Sequence, residues 1–252
     1  MAQVVFDRPI AHRGLHDAAA GVIENSRSAF EAAISEGYAI ECDLQLSSDA
    51  VPFVFHDDDF DRLTEAIGPS GVLPIEAVQQ LVLRGSMARD VPQRFTELLA
   101  QVAGRTLLQI ELKQQPTPQR TRTLAETAVA ALREYRGPYV LESFDPYLLV
   151  ALRRAGAGAP VGIVTYGYDV PEWDAGLAGW RRIVARHLLH WPLTRFQFIS
   201  CRDASLGLPA VRLFRALGMP VTSWTINSPD AAANALRHAD QIVFEGFLPA
   251  IA

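Results

Sequence analysis

Glu41 and Asp43 stand two residues apart in the run Ile40 to Asp57, IECDLQLSSDAVPFVFHD. In an extended strand Ile40, Cys42 and Leu44 point to one side, and Glu41, Asp43 and Gln45 to the other. Two carboxylates on one face of an otherwise apolar strand repel each other and lose hydration when buried. That arrangement calls for a cation, and oxygen ligands favour Mg²⁺ or Ca²⁺. Ser47 to Ala50 is a polar turn, and Pro52 to Phe55 a second short strand that ends in His56. The turn is too short for a parallel crossover, so the two strands are expected to form an antiparallel hairpin. With its tip near Ser48 to Ala50, Leu46 faces Pro52, Leu44 faces Val54 and Cys42 faces His56. The fold-back returns an imidazole to the level of the carboxylates. Taken alone, the run also fits an ordinary hairpin with one polar, exposed side.

A second pair, Glu111 and Lys113, shares a face at the end of a later strand. Glu111 is a candidate third carboxylate, and Lys113 a cation for an anion held at the same place. His12 and Arg13 close the first strand. Two imidazoles beside a carboxylate-bound divalent cation form an acid-base pair that works near neutral pH. Arg13 and Lys113 offer fixed positive charge. Together these groups suit a phosphodiester: the cations stabilise the non-bridging oxygens, one histidine deprotonates the nucleophile and the other protonates the leaving alkoxide. Which histidine does which is open. Lys113 is the only lysine among 23 basic residues, which invites a specific role for it.

The elements that must position these residues alternate along the chain. Principal strands centre on Ile10, Glu41, Leu108, Val140, Val161, Phe198, Val221 and Val243. Helices are expected from Asn25 or Ser26 to Gly37, over 73–83, 95–102, 121–135 and 146–155, over 180–190, near 209–217, and over 229–238. Eight strands separated by helices predict an α/β fold, a (β/α)₈ TIM barrel, with an extra hairpin after the second strand. Residues 1–252 form one domain on this reading, with 57–90 as a short insertion or lid. His12, Arg13, Glu41, Asp43, Glu111, Lys113, Ser143 and Trp224 all fall at or near strand ends, where such barrels do chemistry. Asp57, Asp58, Asp59 and Asp61 read as a solvated loop, and His187 and His190, among arginines, as a solvated or anion-facing helix.

A chain of 252 residues that is 49% hydrophobic suits one such barrel, and a net charge of −5 argues against non-specific nucleic-acid binding. No apolar run approaches the ~18 residues of a membrane span, and no leader is visible, so no stable membrane insertion and a cytoplasmic location are expected. The two cysteines, Cys42 and Cys201, are not expected to pair.

The ordered motifs resemble the glycerophosphodiester phosphodiesterase family. They are His12-Arg13-Gly14, Glu24-Asn25, Glu41-Cys42-Asp43, Val51 to Asp57, and Glu111-Leu112-Lys113, with Ser143-Phe144 and Trp224-Thr225-Ile226-Asn227 further on. The resemblance implies a TIM barrel that hydrolyses small glycerophosphodiesters to sn-glycerol 3-phosphate and an alcohol. It implies His12 and His56 as the acid-base pair, and one divalent cation, Mg²⁺ or Ca²⁺, on Glu41, Asp43 and Glu111. Arg13 and Lys113 would hold phosphate, and Trp224 would line the pocket. Two departures stand out. The usual Asp-Gly turn is Asp49-Ala50, which strains any positive φ there. The usual Thr-Asp-x-Pro after the last strand is Phe244-Glu245-Gly246-Phe247, where Glu245 either replaces the acid or leaves its contact missing. The rival readings are a phospholipase D-like enzyme acting on lysophospholipids or sphingolipids, and a non-catalytic barrel that binds a phosphorylated ligand. A metal amidohydrolase is weaker, because it wants His-x-His where this chain has His12-Arg13-Gly14.

Overall fold

The computed structural model describes residues 6–171, 173 and 177–251. The reading of the N-terminus as leaderless rests partly on residues 1–5, which lie outside the described residues. β1 (Ile10–Ala11), α1 (Arg27–Ser35), β2 (Ala39–Leu46) and β3 (Pro52–Val54) come first. α2 (Ile75–Val78) and α3 (Phe95–Val102) precede β4 (Leu108–Leu112). Strands and helices then alternate: α4 (Pro118–Leu132), β5 (Tyr139–Ser143), α5 (Pro146–Arg154), β6 (Val161–Thr165), α6 (Gly179–Arg186), α7 (Trp191–Thr194) and β7 (Phe198–Arg202). α8 (Pro209–Ala216), β8 (Val221–Ile226), α9 (Pro229–Ala235) and β9 (Gln241–Phe244) complete the chain.

β1 pairs in parallel with both β2 and β9, which closes the ring into the expected (β/α)₈ barrel. β3 lies outside the ring, antiparallel to β2, with Leu44 opposite Val54 and Leu46 opposite Pro52. That register is the one the turn length demands. Its tip puts Ala50 at φ 64°, the left-handed conformation that the missing glycine would have taken more easily. Side-chain caps followed by proline start three of the outer helices: Thr117-Pro118, Asp145-Pro146 and Ser228-Pro229. The cap oxygen accepts an otherwise unsatisfied N–H, and proline presets φ for the first turn. Gly162 on β6 is held to glycine by packing, since a Cβ there would sit 2.3 Å from the Phe198 ring.

β2 behaves as its alternation requires. Ile40, Cys42 and Leu44 join Phe30, Leu98 and Leu124 in the core between barrel and helices. Glu41 and Asp43 face the barrel interior, and both are buried.

Two helix expectations change. The one over 73–83 shrinks to Ile75–Val78, because Ile75, Val78 and Leu83 reach a separate small core with Phe53, Phe55 and Phe60 through a turn instead. The one over 180–190 ends at Arg186 as α6, because Leu188, at φ 53°, turns its side chain into the main core, and the short α7 begins beyond it. Residues 57–90 pack on the outer side of β3 through that small core, and His56 and Asp58 line the pocket at the barrel mouth.

Candidate functional site

Strand register assembles the acidic centre. Asp43 on β2 lies beside Glu111 on β4, and Glu41 beside Gln109. Ligand oxygens of Glu41, Asp43 and Glu111 all lie within 4.8 Å of one another, and all three residues are buried. Burial, with Asp43 and Glu111 as neighbours, pushes the Glu41 carboxyl well above its ordinary range. Burial alone would raise Asp43 too, but Lys113, His56, Arg13 and the Asn25 amide outweigh it and hold Asp43 low. Three buried carboxylates crowded together are what a hard divalent cation stabilises, so the residues present fit one. Among the described residues this is the one group able to hold a metal.

The protein's own cations lean on the same carboxylates. Lys113 Nζ lies 2.8 Å from Glu111 Oε1 and 3.3 Å from Asp43 Oδ1. Burial would lower its pKa, yet Glu111 and Asp43 raise it, so the ammonium stays charged. Arg13, in the left-handed region at φ 55°, donates its backbone N–H to Glu41 Oε2 at 2.9 Å. Its guanidinium donates to Glu24 Oε1 at 2.6 Å, and its Nε lies 3.6 Å from Asp43 Oδ2.

Each histidine has its own carboxylate. Nδ1 of His12 lies 2.6 Å from Glu245 Oε2, and Nδ1 of His56 lies 2.7 Å from Asp57 Oδ1. In the neutral ring an Nδ1–H donated to a carboxylate leaves Nε2 as the bare acceptor. Burial lowers the His12 pKa, the Glu245 hydrogen bond offsets part of that, and Arg13 lowers it further. The net effect favours the neutral imidazole. Glu245 also lies 3.6 Å from His16 Nε2.

Eight of the residues singled out in the sequence converge on one cavity of about 900 Å³: His12, Arg13, Glu41, Asp43, His56, Glu111, Lys113 and Trp224; Ser143 is buried instead and donates to the Leu112 carbonyl. Trp224 packs edge-on to Phe144 at 5.5 Å, forming an apolar wall opposite the charges. Reading the sequence missed several partners. Asn25 donates to Asp43 Oδ2 at 2.8 Å, and its neighbour Ser26, not Asn25, caps α1. Asp57, read as solvated, orients His56. Arg62 makes paired bonds to both Asp57 and Glu24, and so ties the insertion to the loop after β1. Glu142 on β5 sits beside Glu111 in register; burial first, then Glu111, push it up to about 8, and it accepts from Gln109 Nε2 at 2.9 Å. The reading of His187 and His190 as a solvated helix holds only for His187, which is exposed; His190 lies beyond the end of α6, is buried and bonds Thr194.

The Glu24 clamp predicts a pH effect. Burial would raise Glu24, but hydrogen bonds and charge from Arg62 and Arg13 lower it from 4.5 to about 2. A depressed carboxylate contributes stability that is present above the unfolded value and lost as pH falls through the folded one. Glu24→Gln is therefore expected to lose about 1–2 kcal/mol at pH 7, a value discounted for the exposure of Arg62. It should also flatten the decline in stability between pH 4.5 and about 2. Urea unfolding across that range checks it; parallel curves for variant and wild type would refute the clamp.

Comparison with known proteins follows the geometry. The model of the glycerophosphoryl diester phosphodiesterase family matches residues 12–243. Glycerophosphodiester phosphodiesterase 1 from Bos taurus is 23% identical over a 243-residue alignment, covering 88% of this chain and 72% of the relative. The Homo sapiens protein of the same name is 24% identical with the same coverage. An Oleispira antarctica phosphodiesterase, solved in complex with the product sn-glycerol-3-phosphate, superimposes with a TM-score of 0.76 at 20% identity, covering 94% of this chain and 92% of that one. A glycerophosphodiester phosphodiesterase from Thermotoga maritima gives a TM-score of 0.69 at 21% identity, covering 97% of this chain and 96% of that one. These structural likenesses show the barrel fold. No described helix is long and apolar enough to cross a membrane.

Proposed function

We propose a function from the premise that this chain belongs to the glycerophosphoryl diester phosphodiesterase family, a family of enzymes. It hydrolyses glycerophosphodiesters to sn-glycerol 3-phosphate and an alcohol. The observation that carries this reading is the convergence of two carboxylate-held imidazoles, two fixed cations and a buried triad of carboxylates in one cavity. The Oleispira antarctica structural neighbour, which holds sn-glycerol-3-phosphate, supports the substrate class.

Glu41, Asp43 and Glu111 would hold one divalent cation, Mg²⁺ or Ca²⁺, and the cation would polarise a phosphoryl oxygen. Lys113 and Arg13 place positive charge beside the non-bridging oxygens as charge builds there. His12 serves as the base: burial favours its neutral form, and Glu245 fixes Nδ1–H, leaving Nε2 to accept. It takes a proton from the attacking water as the new P–O bond forms. His56, held by Asp57, gives a proton to the alkoxide as the old P–O bond breaks. Trp224 and Phe144 offer a flat wall to the glycerol carbons.

Lys113→Met is expected to lower kcat/KM roughly 10- to 100-fold, the worth of a charge-assisted contact. Steady-state kinetics check this, and an unaltered kcat/KM would remove the phosphate role. The reaction itself is tested by sn-glycerol 3-phosphate release from a panel of glycerophosphodiesters, with Mg²⁺, with Ca²⁺ and with EDTA. Release that EDTA abolishes is the expected result. No release from folded protein with either metal would overturn the reading and put a phospho-ligand-binding barrel in its place.

A further inference from the structure

None of the eight residues of α6 is buried. Trp180 and Ile183, three apart and therefore on one side of it, are 63% and 58% exposed. Leu189 and Leu193, just beyond, are each 60% exposed. Large apolar side chains gathered in water in this way mark an interaction surface. The charge here also runs against the rest of the molecule. Residues 177–195 hold four arginines, Arg181, Arg182, Arg186 and Arg195, and no acid, in a chain of net charge −5. Arg153 on α5 donates to the Arg195 carbonyl at 3.0 Å, and with the exposed Arg154 it extends the basic patch. Arg186 donates to the Gly167 carbonyl and Arg195 to the Pro192 carbonyl. Those contacts hold the guanidinium groups without neutralising them. A cavity of about 730 Å³ beside α6 brings two acids, Glu126 and Asp145, against Arg122, Arg154 and Arg181, so the balance stays positive. Leu177 and Arg181 also line the cavity over the carboxylates, which places this face beside the barrel mouth.

We propose that the α6–α7 face docks the protein, reversibly, on an anionic lipid bilayer surface. Tryptophan, isoleucine and leucine enter the boundary between headgroups and acyl chains, while arginines meet the headgroup phosphates. A second copy of this chain fits the face poorly, because a two-fold axis through it would set each arginine against the same cluster on the partner. The contact spans nothing and calls for no lipid substrate. It goes beyond the phosphodiesterase reading and does not rest on it.

The test is flotation of the full chain with vesicles of phosphatidylcholine alone, and with vesicles holding about 40% phosphatidylglycerol. Binding to the anionic vesicles is expected to be at least about tenfold tighter than to the neutral ones. It should fall away in about 0.5 M salt, where charges are screened within a few ångströms. Arg181→Gln combined with Arg195→Gln should weaken it roughly 25-fold, since each arginine near an anionic surface is worth about fivefold. Ile183→Asp, which removes an apolar contact and adds a like charge, should weaken it at least about tenfold. Arg133→Gln combined with Arg136→Gln makes the same charge change between α4 and β5, at the end of the barrel away from the mouth. It should cost about twofold or less. All five positions are exposed, so thermal unfolding should match wild type, and binding is compared per folded molecule. Absence of binding to the anionic vesicles overturns the proposal. If the free protein then forms a dimer that Ile183→Asp dissociates, the face belongs to a second copy. Binding that neutral vesicles match, or that both patch variants leave unchanged, also overturns it. None of these readouts depends on turnover, so the phosphodiesterase reading stands or falls separately.

Discussion

In His12→Ala, kcat for glycerophosphodiester hydrolysis is expected to fall by roughly two to four orders of magnitude, the usual worth of a positioned acid-base group. Burial favours the neutral form of this imidazole, and its Nδ1 is fixed by Glu245 at 2.6 Å. Alanine removes both the acceptor and the route by which the attacking water loses its proton. KM should move little if Lys113 and Arg13 carry phosphate binding. Glu245→Gln separates orientation from basicity. It retains an acceptor for Nδ1–H but removes a charge that raises the His12 pKa. The acidic limb of the kcat/KM profile should therefore shift to lower pH, with a loss of about tenfold or less. Wild-type turnover in His12→Ala would sink the two-histidine mechanism, and an unmoved acidic limb in Glu245→Gln would remove Glu245 from it.

Glu41→Gln is expected to weaken divalent-cation binding at least about 100-fold, because loss of even an outer-shell partner costs 10–100-fold. The same change should leave the cation-free protein as stable as wild type, or more so. Glu41 is pushed well up by burial and by Asp43 and Glu111. A raised carboxyl contributes stability below its unfolded pKa and loses it as pH rises, so near neutral pH the crowded acid is a liability that glutamine relieves. The glutamine oxygen can still accept the Arg13 backbone N–H that Glu41 accepts at 2.9 Å. Thermal unfolding with and without Mg²⁺ or Ca²⁺ reads both effects. Wild type should gain about 2.7 kcal/mol at 100 times Kd, and the variant almost nothing at that concentration. Unchanged calorimetric affinity for both ions would rule Glu41 out as a ligand.

Much of this arrangement is legible in residue order, and the reasons are local. Alternation on β2 puts Glu41 and Asp43 on one face, and a four-residue turn forces the hairpin that brings His56 back. Strand counting yields the barrel, and the barrel brings the strand ends together. The partners escaped because they come from other segments. Asp57 is a solvated loop residue until Arg62 and Glu24, 38 positions apart, are known to meet. Glu245 did carry a signal. β9 closes the ring on β1 with Phe244 opposite Ala11, so the next residue on each strand, Glu245 and His12, must be neighbours. The early end of α6 before Leu188 had no such signal, because the residues on both sides of that one left-handed residue keep helical character.

Lys113 is the chain's sole lysine and sits partly buried against Asp43 and Glu111. An ε-¹⁵N-lysine label would therefore place its one side-chain resonance inside the site. Proton exchange with water should be slow there, because both carboxylates hold the ammonium away from solvent. Titrating the labelled protein with cation, and separately with product, would read the local charge through a single signal that needs no assignment.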